Sequence, residues 1–142
     1  MSVPVKTTAR EIRARKGGRK ISVLTCYDFP TARILDRCGI DILLVGDSLG
    51  NVVLGYPNTI PVTIEEMIHH ARAVMRAAPK ALVVVDMPFG SYHGSVNDAV
   101  QNAVQYHKKC GVDCIKLEGG VRVAHIIRAI ADSGMLVMGH VG

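Results

Sequence analysis

Five short apolar runs alternate with segments of helical character, and this alternation limits the fold more than any single motif does. Runs at 21–27, 40–46, 81–87, 112–117 and 135–139 are rich in Val, Ile and Leu and read as strands. The segments between them carry helix start and stop signals. Thr8 and Glu11 have capping-box spacing at the head of a helix over 8–16, which Gly17-Gly18 ends. A helix through TARILDRC stops at Gly39. Thr63 and Glu66 repeat the capping box and open a helix running to Ala78, before Pro79. Ser95 caps a helix to Cys110, closed by Gly111, and a last helix covers 121–133. The stretch DSLGNVVLGYPNTIP, with Gly50, Gly55, Pro57 and Pro61, reads as a long loop.

Strand–helix alternation of this kind implies a parallel sheet with helical crossovers. Composition agrees: 49% of the 142 residues are hydrophobic but only 4% are aromatic, so the core must pack from Val, Ile, Leu, Ala and Met. Two architectures suit five strands. A flavodoxin-like sheet normally adds a closing helix after its fifth strand. A parallel (β/α)8 TIM barrel typically takes ~250 residues, so this chain would supply its first five strands. The barrel is the expectation, with 1–142 the N-terminal part of a single barrel domain and 1–20 a basic N-terminal helical extension.

The formal charge of +5 is concentrated at Arg10, Arg13, Arg15, Lys16, Arg19 and Lys20. No aromatics are interleaved there as a base-stacking platform requires, which argues against a nucleic-acid partner and for a solvated amphipathic helix. Cys26, Cys38, Cys110 and Cys114 show no CxxC pair or zinc spacing and read as buried, reduced residues, hence a cytoplasmic setting. No apolar stretch approaches the roughly 20 residues of a membrane span.

A parallel sheet gathers the carboxyl ends of its strands on one rim. Asp47 after ILLVG, Asp86 after ALVVV and Glu118 in CIKLEGG therefore fall on that rim, where spacing alone suits two readings: helix-capping or turn carboxylates, or an oxygen-rich site for a hard cation such as Mg²⁺. Lys116, two residues before Glu118, shares its strand face. Ser48 and its loop amides suit a carboxylate, and His140 at the end of the fifth strand could donate to a bound oxyanion. Asp41 and Asp113 begin strands, at the opposite rim, and read as structural. His69 and His70 are adjacent on a helix and cannot form an i,i+4 metal pair; for His93, His107 and His125 solvent exposure is the default.

The stretches TCYDFPTARILD, LLVGDSLGNVVLGYPNTIPVT, VVVDMPFGSY, IKLEGG and MGHVG occur in the order and approximate spacing of the ketopantoate (3-methyl-2-oxobutanoate) hydroxymethyltransferase family, which this chain resembles from about Lys20 onward. The resemblance implies a (β/α)8 barrel that transfers a one-carbon unit from 5,10-methylenetetrahydrofolate to 3-methyl-2-oxobutanoate. It places Mg²⁺ on Asp47, Asp86 and Glu118, and the oxo-acid against Asp47, Ser48, Asp86 and Lys116 with His140 close by. It puts the proton-abstracting glutamate beyond Gly142, so no catalytic base is expected within the chain, and little turnover from these residues alone. It also implies a large homo-oligomer acting on small molecules, with no nucleic-acid or membrane partner. Two competing expectations are another Mg²⁺-dependent oxo-acid barrel of the phosphoenolpyruvate mutase/isocitrate lyase type and a non-catalytic fragment. A receiver-type phosphoacceptor domain fits poorly, since the first run ends in Tyr27-Asp28 and the lysine lies on the fourth run, not the fifth.

Overall fold

The computed structural model describes residues 5–77 and 79–141; the expected helix end at Ala78, the first four residues of the 1–20 extension and Gly142 of MGHVG lie outside them. Five strands, β1 (Val23–Thr25), β2 (Ile42–Val45), β3 (Leu82–Asp86), β4 (Cys114–Glu118) and β5 (Leu136–His140), form one sheet in the order β1-β2-β3-β4-β5, every pair parallel. Sequential order is what consecutive βα units of a barrel produce. A flavodoxin-like or receiver sheet has a switch point where the order reverses, and this sheet has none. The poor fit of the receiver-type reading is thereby borne out.

The helices are α1 (Ala9–Ala14), α2 (Phe29–Arg37), α3 (Leu49–Val52), α4 (Ile64–Arg76), α5 (Val96–Cys110) and α6 (Ala124–Asp132). Both capping boxes form, Thr8 with Glu11 and Thr63 with Glu66, and Ser95 accepts from the Asp98 amide as an N-cap. Asp28 caps α2, two residues earlier than expected, because Pro30 sits in the first turn, where its missing N–H is harmless. A 3-10 turn, Gly120–Val123, takes the start of the expected last helix. The expected 47–61 loop contains one helical turn, α3, in which a Cβ on Gly50 would lie 2.6 Å from Val62 Cγ2. Only glycine permits that approach of loop to chain.

Strand parity sorts the sheet into two faces. Leu43, Val45, Val83, Val85, Ile115 and Leu117 point to the face covered by helices, where Met67, Ala71 and Val74 of α4 and Ala99, Ala103 and Tyr106 of α5 meet them. Small residues at i, i+4 on α5 let that helix approach closely. Burying a large aliphatic side chain here contributes roughly 1.5–3 kcal/mol. The alternate residues Ile42, Leu82, Val84 and Cys114 form a separate, smaller cluster on the other face, with Leu44 and Met138 against it. β3 is buried along its whole length, while β1 and β5, the outer strands, expose Val23, Leu24 and Leu136.

α1 meets the inner face at the amino ends of the strands. Ile12 packs on the inner cluster, Thr7 N–H donates to the Lys80 carbonyl at 2.7 Å, and Lys6 pairs with Asp113 at 2.8 Å. The expected solvated helix is thus partly docked, its Arg15 reaching Asp41. Asp113 also accepts from Val83 N–H, which bears out the structural reading of both strand-start acids. The expectation of four buried cysteines is corrected: Cys26 and Cys114 are buried, Cys110 is half-buried, and Cys38, the α2 C-cap, is exposed at the helix end, while Leu35 of the same turn packs on the core. No helix among the described residues is long and apolar enough to cross a membrane.

Asp41 is only 5% exposed and accepts from Ser22 N–H, Ser22 Oγ and Arg15. These hydrogen bonds, the Ser22 amide first and Arg15 next, hold its carboxyl at about 2, below the ordinary 3.8. A depressed folded-state value stabilises above the unfolded value and is lost as pH falls. Asp41→Asn should therefore cost about 1–3 kcal/mol in urea unfolding at neutral pH. The gap should shrink as pH falls below 3.8 towards about 2. An equal penalty across that range would rule out the charge as its source.

Candidate active site

The register pairs Asp86 with Lys116 and Glu118 with His140. Parallel partners share a face, so inner-face parity at the carboxyl ends of three adjacent strands places four polar side chains side by side. Lys116 Nζ donates to Asp86 Oδ1 at 2.6 Å, in an environment where both are largely buried. His140 Nδ1 lies 3.2 Å from Glu118 Oε2, with both side chains more open to solvent. The β2 run ends at Gly46, and Asp47 begins the following turn. Its N–H donates to Asp86 Oδ2 at 3.2 Å. A Cβ on Gly46 would stand 2.9 Å from Ser48 Oγ and 3.5 Å from Asp86 Oδ2, so the absence of a side chain there lets these groups close up.

Asp47, Asp86, Lys116 and Glu118 line one cleft of about 300 Å³ together with Thr59, Met87, Phe89, Tyr92 and His93. Half-burial and then the facing Asp86 carboxylate push the Asp47 carboxyl above its ordinary value. Lys116 and the neighbouring Thr59 oppose the shift. Asp47 and Asp86 therefore repel each other across a partly dry site, an arrangement that a cation between them would relieve.

Ser48, expected to be near the oxo-acid, lies beside this cleft. Its Oγ is 2.8 Å from Tyr27 Oη, which replaces the usual cap bond to α3. His70 Nδ1 lies 2.8 Å from the Tyr27 carbonyl and anchors α4 to the strand end. The three expected metal ligands share the cleft but are not gathered as a cage. Among the described residues no three His, Cys, Asp or Glu side chains are close enough to hold an ion by themselves. Asp86 is engaged by Lys116 and the Asp47 amide, and Glu118 leans to His140.

Sequence reasoning missed Tyr27, Thr59, Phe89, Tyr92 and His93. Tyr27 was legible in principle, since it continues the parity of Val23 and Thr25. The other four lie on loops, whose path no periodicity encodes. His107, assigned to solvent by default, is half-buried, with Nε2 enclosed between α5 and its neighbours.

The fold and the cleft together define a barrel-type α/β domain whose polar site sits at the carboxyl rim of its strands. The chain belongs to the ketopantoate hydroxymethyltransferase family, whose sequence model matches residues 6–142. The 3-methyl-2-oxobutanoate hydroxymethyltransferase of Thermoanaerobacter sp. (strain X514) is 59% identical over 128 residues, 90% of this chain and 47% of the relative. The chain thus spans about half the length of the curated relatives it matches. Among solved structures, 2,3-dimethylmalate lyase, a PEP mutase/isocitrate lyase superfamily member, aligns with a TM-score of 0.68 at 21% identity, over 95% of this chain and 52% of that one. Phosphonopyruvate hydrolase in complex with oxalate and Mg²⁺ aligns with a TM-score of 0.68 at 14% identity, over 89% and 49%. Identities this low establish the shared fold alone, and the family assignment rests on the sequence match.

Lys116→Met should raise the Asp47 carboxyl further, because it removes the cation that opposes the repulsion from Asp86. A carboxyl ¹³C NMR titration of Asp47 reads this directly. An unmoved or lowered midpoint would mean that Lys116 does not act on Asp47.

Proposed function

We propose that the protein carrying this chain transfers a one-carbon unit from 5,10-methylenetetrahydrofolate to 3-methyl-2-oxobutanoate, giving 2-dehydropantoate on the route to pantothenate. The observation that carries this reading is the in-register Asp86–Lys116 pair facing Asp47 in one cleft, on a chain of this family.

The donor set suits a hard divalent cation such as Mg²⁺. All its ligands are oxygens, two carboxylates repel each other across the cleft, and Mg²⁺ usually takes one or two carboxylates with water and substrate completing its shell. Asp47, Asp86 and Glu118 would hold it. When bound, it would supply a concentrated positive charge to the keto and carboxylate oxygens of the oxo-acid. Phosphonopyruvate hydrolase, which shares the fold, was crystallised in complex with oxalate and Mg²⁺.

The chain's own residues then divide the work. Ser48, its hydroxyl oriented by Tyr27, donates to the substrate carboxylate. Lys116 holds a fixed ammonium beside the keto oxygen, where negative charge grows as the C3–H bond breaks. His140, with Nδ1 turned to Glu118, keeps Nε2 for the same oxyanion. In this proposal the C3 proton leaves to a carboxylate base supplied by a later strand of the full barrel. Water adds to the donor's methylene carbon as its two C–N bonds break, so tetrahydrofolate leaves with both nitrogens protonated and the carbon remains at the formaldehyde level. The electron pair freed at C3 bonds to that carbon, and its oxygen takes up the proton that left C3. A cytoplasmic setting, homo-oligomeric assembly, and small-molecule partners without nucleic acid or membrane belong to the same proposal.

Exchange of the C3 proton of 3-methyl-2-oxobutanoate in D₂O, followed by NMR, tests this in the protein that carries the chain. Exchange should require Mg²⁺, and Lys116→Ala should slow it by about 10²- to 10³-fold. Exchange that survives both chelator and this substitution would overturn the reading.

A further inference from the structure

We propose that Phe89, Tyr92 and His93 form a stacking shelf for the flat heteroaromatic ring of the one-carbon donor, with His93 Nε2 donating a hydrogen bond to it. The inference rests on the proposed function and assigns that donor a place at the same site.

The loop after β3 begins at Met87 and brings three aromatic rings to one side of the cleft. The Tyr92 and His93 rings stack at 4.3 Å with an interplanar angle of 30°, and Phe89 lies 4.9 Å from His93, tilted by 45°. All three line the cleft that holds Asp47, Asp86, Lys116 and Glu118. The cleft therefore has two zones, one of charged oxygens and an ammonium, the other of aromatic faces.

The shelf is held from behind. Tyr92 is buried and donates from Oη to the Glu118 carbonyl at 3.0 Å. Ser91 is buried, donates to the Pro88 carbonyl at 2.7 Å, and its own carbonyl accepts from Asn102 Nδ2 at 2.7 Å. Gly90 N–H donates to His93 Nδ1 at 3.1 Å. An acceptor Nδ1 means that the neutral ring carries its proton on Nε2, which leaves one donor unused on the exposed side. A preordered loop loses little freedom on binding.

The front of the shelf is open. Phe89 is 59% exposed, and His93 is exposed beside it. A five-carbon oxo-acid satisfies the charged zone and leaves the aromatic zone empty. Transfer of one carbon requires the donor ring within reach of C3, hence directly beside the acid. A neutral, planar heteroaromatic with carbonyl and amide edges matches exposed aromatic faces and a single N–H donor. A second acid does not.

Phe89→Ala, His93→Ala and His93→Phe, made in the protein that carries this chain, test the shelf. Tetrahydrofolate binding and Mg²⁺-dependent 3-methyl-2-oxobutanoate binding are read separately by calorimetry, alongside the thermal midpoint. Phe89→Ala should weaken tetrahydrofolate roughly tenfold and leave the oxo-acid unchanged. His93→Phe should retain more affinity than His93→Ala, since it keeps the ring and loses only the donor. Unchanged tetrahydrofolate affinity in both alanine variants would overturn the proposal, as would an equal loss for the oxo-acid. A lowered thermal midpoint with tetrahydrofolate affinity intact would also overturn it, by making Phe89 a packing surface. If the unaltered protein binds tetrahydrofolate on the shelf but no oxo-acid, the shelf stands and the preceding functional reading falls.

Discussion

The site depends on one constraint, the parallel register of β3 against β4. Because Asp86 and Lys116 are direct partners, the pleat puts them on the same face at the same height, and an ion pair of 2.6 Å forms without any loop having to fold correctly. A shift of that register by one residue would turn Lys116 into the helix-covered core and Leu117 into the cleft. Burial of Ile115 and Leu117 against α5 and α6 opposes the slip, so the packing of the outer face enforces the chemistry of the inner one.

The inner face separates stability from function along its length. At the amino ends of the strands, Asp41 and Asp113 are satisfied by backbone amides and by Arg15 and Lys6, which tie α1 down over the small apolar cluster. At the carboxyl ends, the acids are left in conflict: Asp47 faces Asp86, and one lysine serves both. A carboxylate whose charge is resisted by its surroundings is poised to accept a cation or a proton, while a fully satisfied one is not. The same residue type thus has opposite roles at the two ends of one sheet.

Loops complete the cleft in two ways. The β2 loop turns on Gly46 and Gly50, where side chains would collide with Ser48 and Val62, and so brings Ser48 to Tyr27 and Thr59 to Asp47. The β3 loop presents an aromatic stack fixed by Ser91, Asn102 and the Glu118 carbonyl. Rigid strands carry the charges and braced loops carry the faces, the usual division of labour at a barrel rim.

Much of this was legible in the chain itself. Apolar runs of strand length, two capping boxes and glycine helix stops determine five strands and the helices between them. Parity along CIKLEGG determines that Lys116 and Glu118 share a face. Strand order was not legible, because alternation alone suits both a sequential and a reversed sheet, and only the long-range pairing of backbones separates them. The exposure of Cys38 was misread, and what the apolar side of α1 meets was not legible, because amphipathic spacing says which side of a helix is apolar, not what meets it. Tyr92, His93 and Phe89 escaped for a related reason: a loop's course follows from tertiary hydrogen bonds such as Tyr92 to Glu118, between residues 26 apart. Local sequence determined the elements and the types of their functional groups, since propensity and period act over a few residues. The tertiary structure decided which groups meet, since the contacts that fix a cleft join strands and loops far apart in the chain.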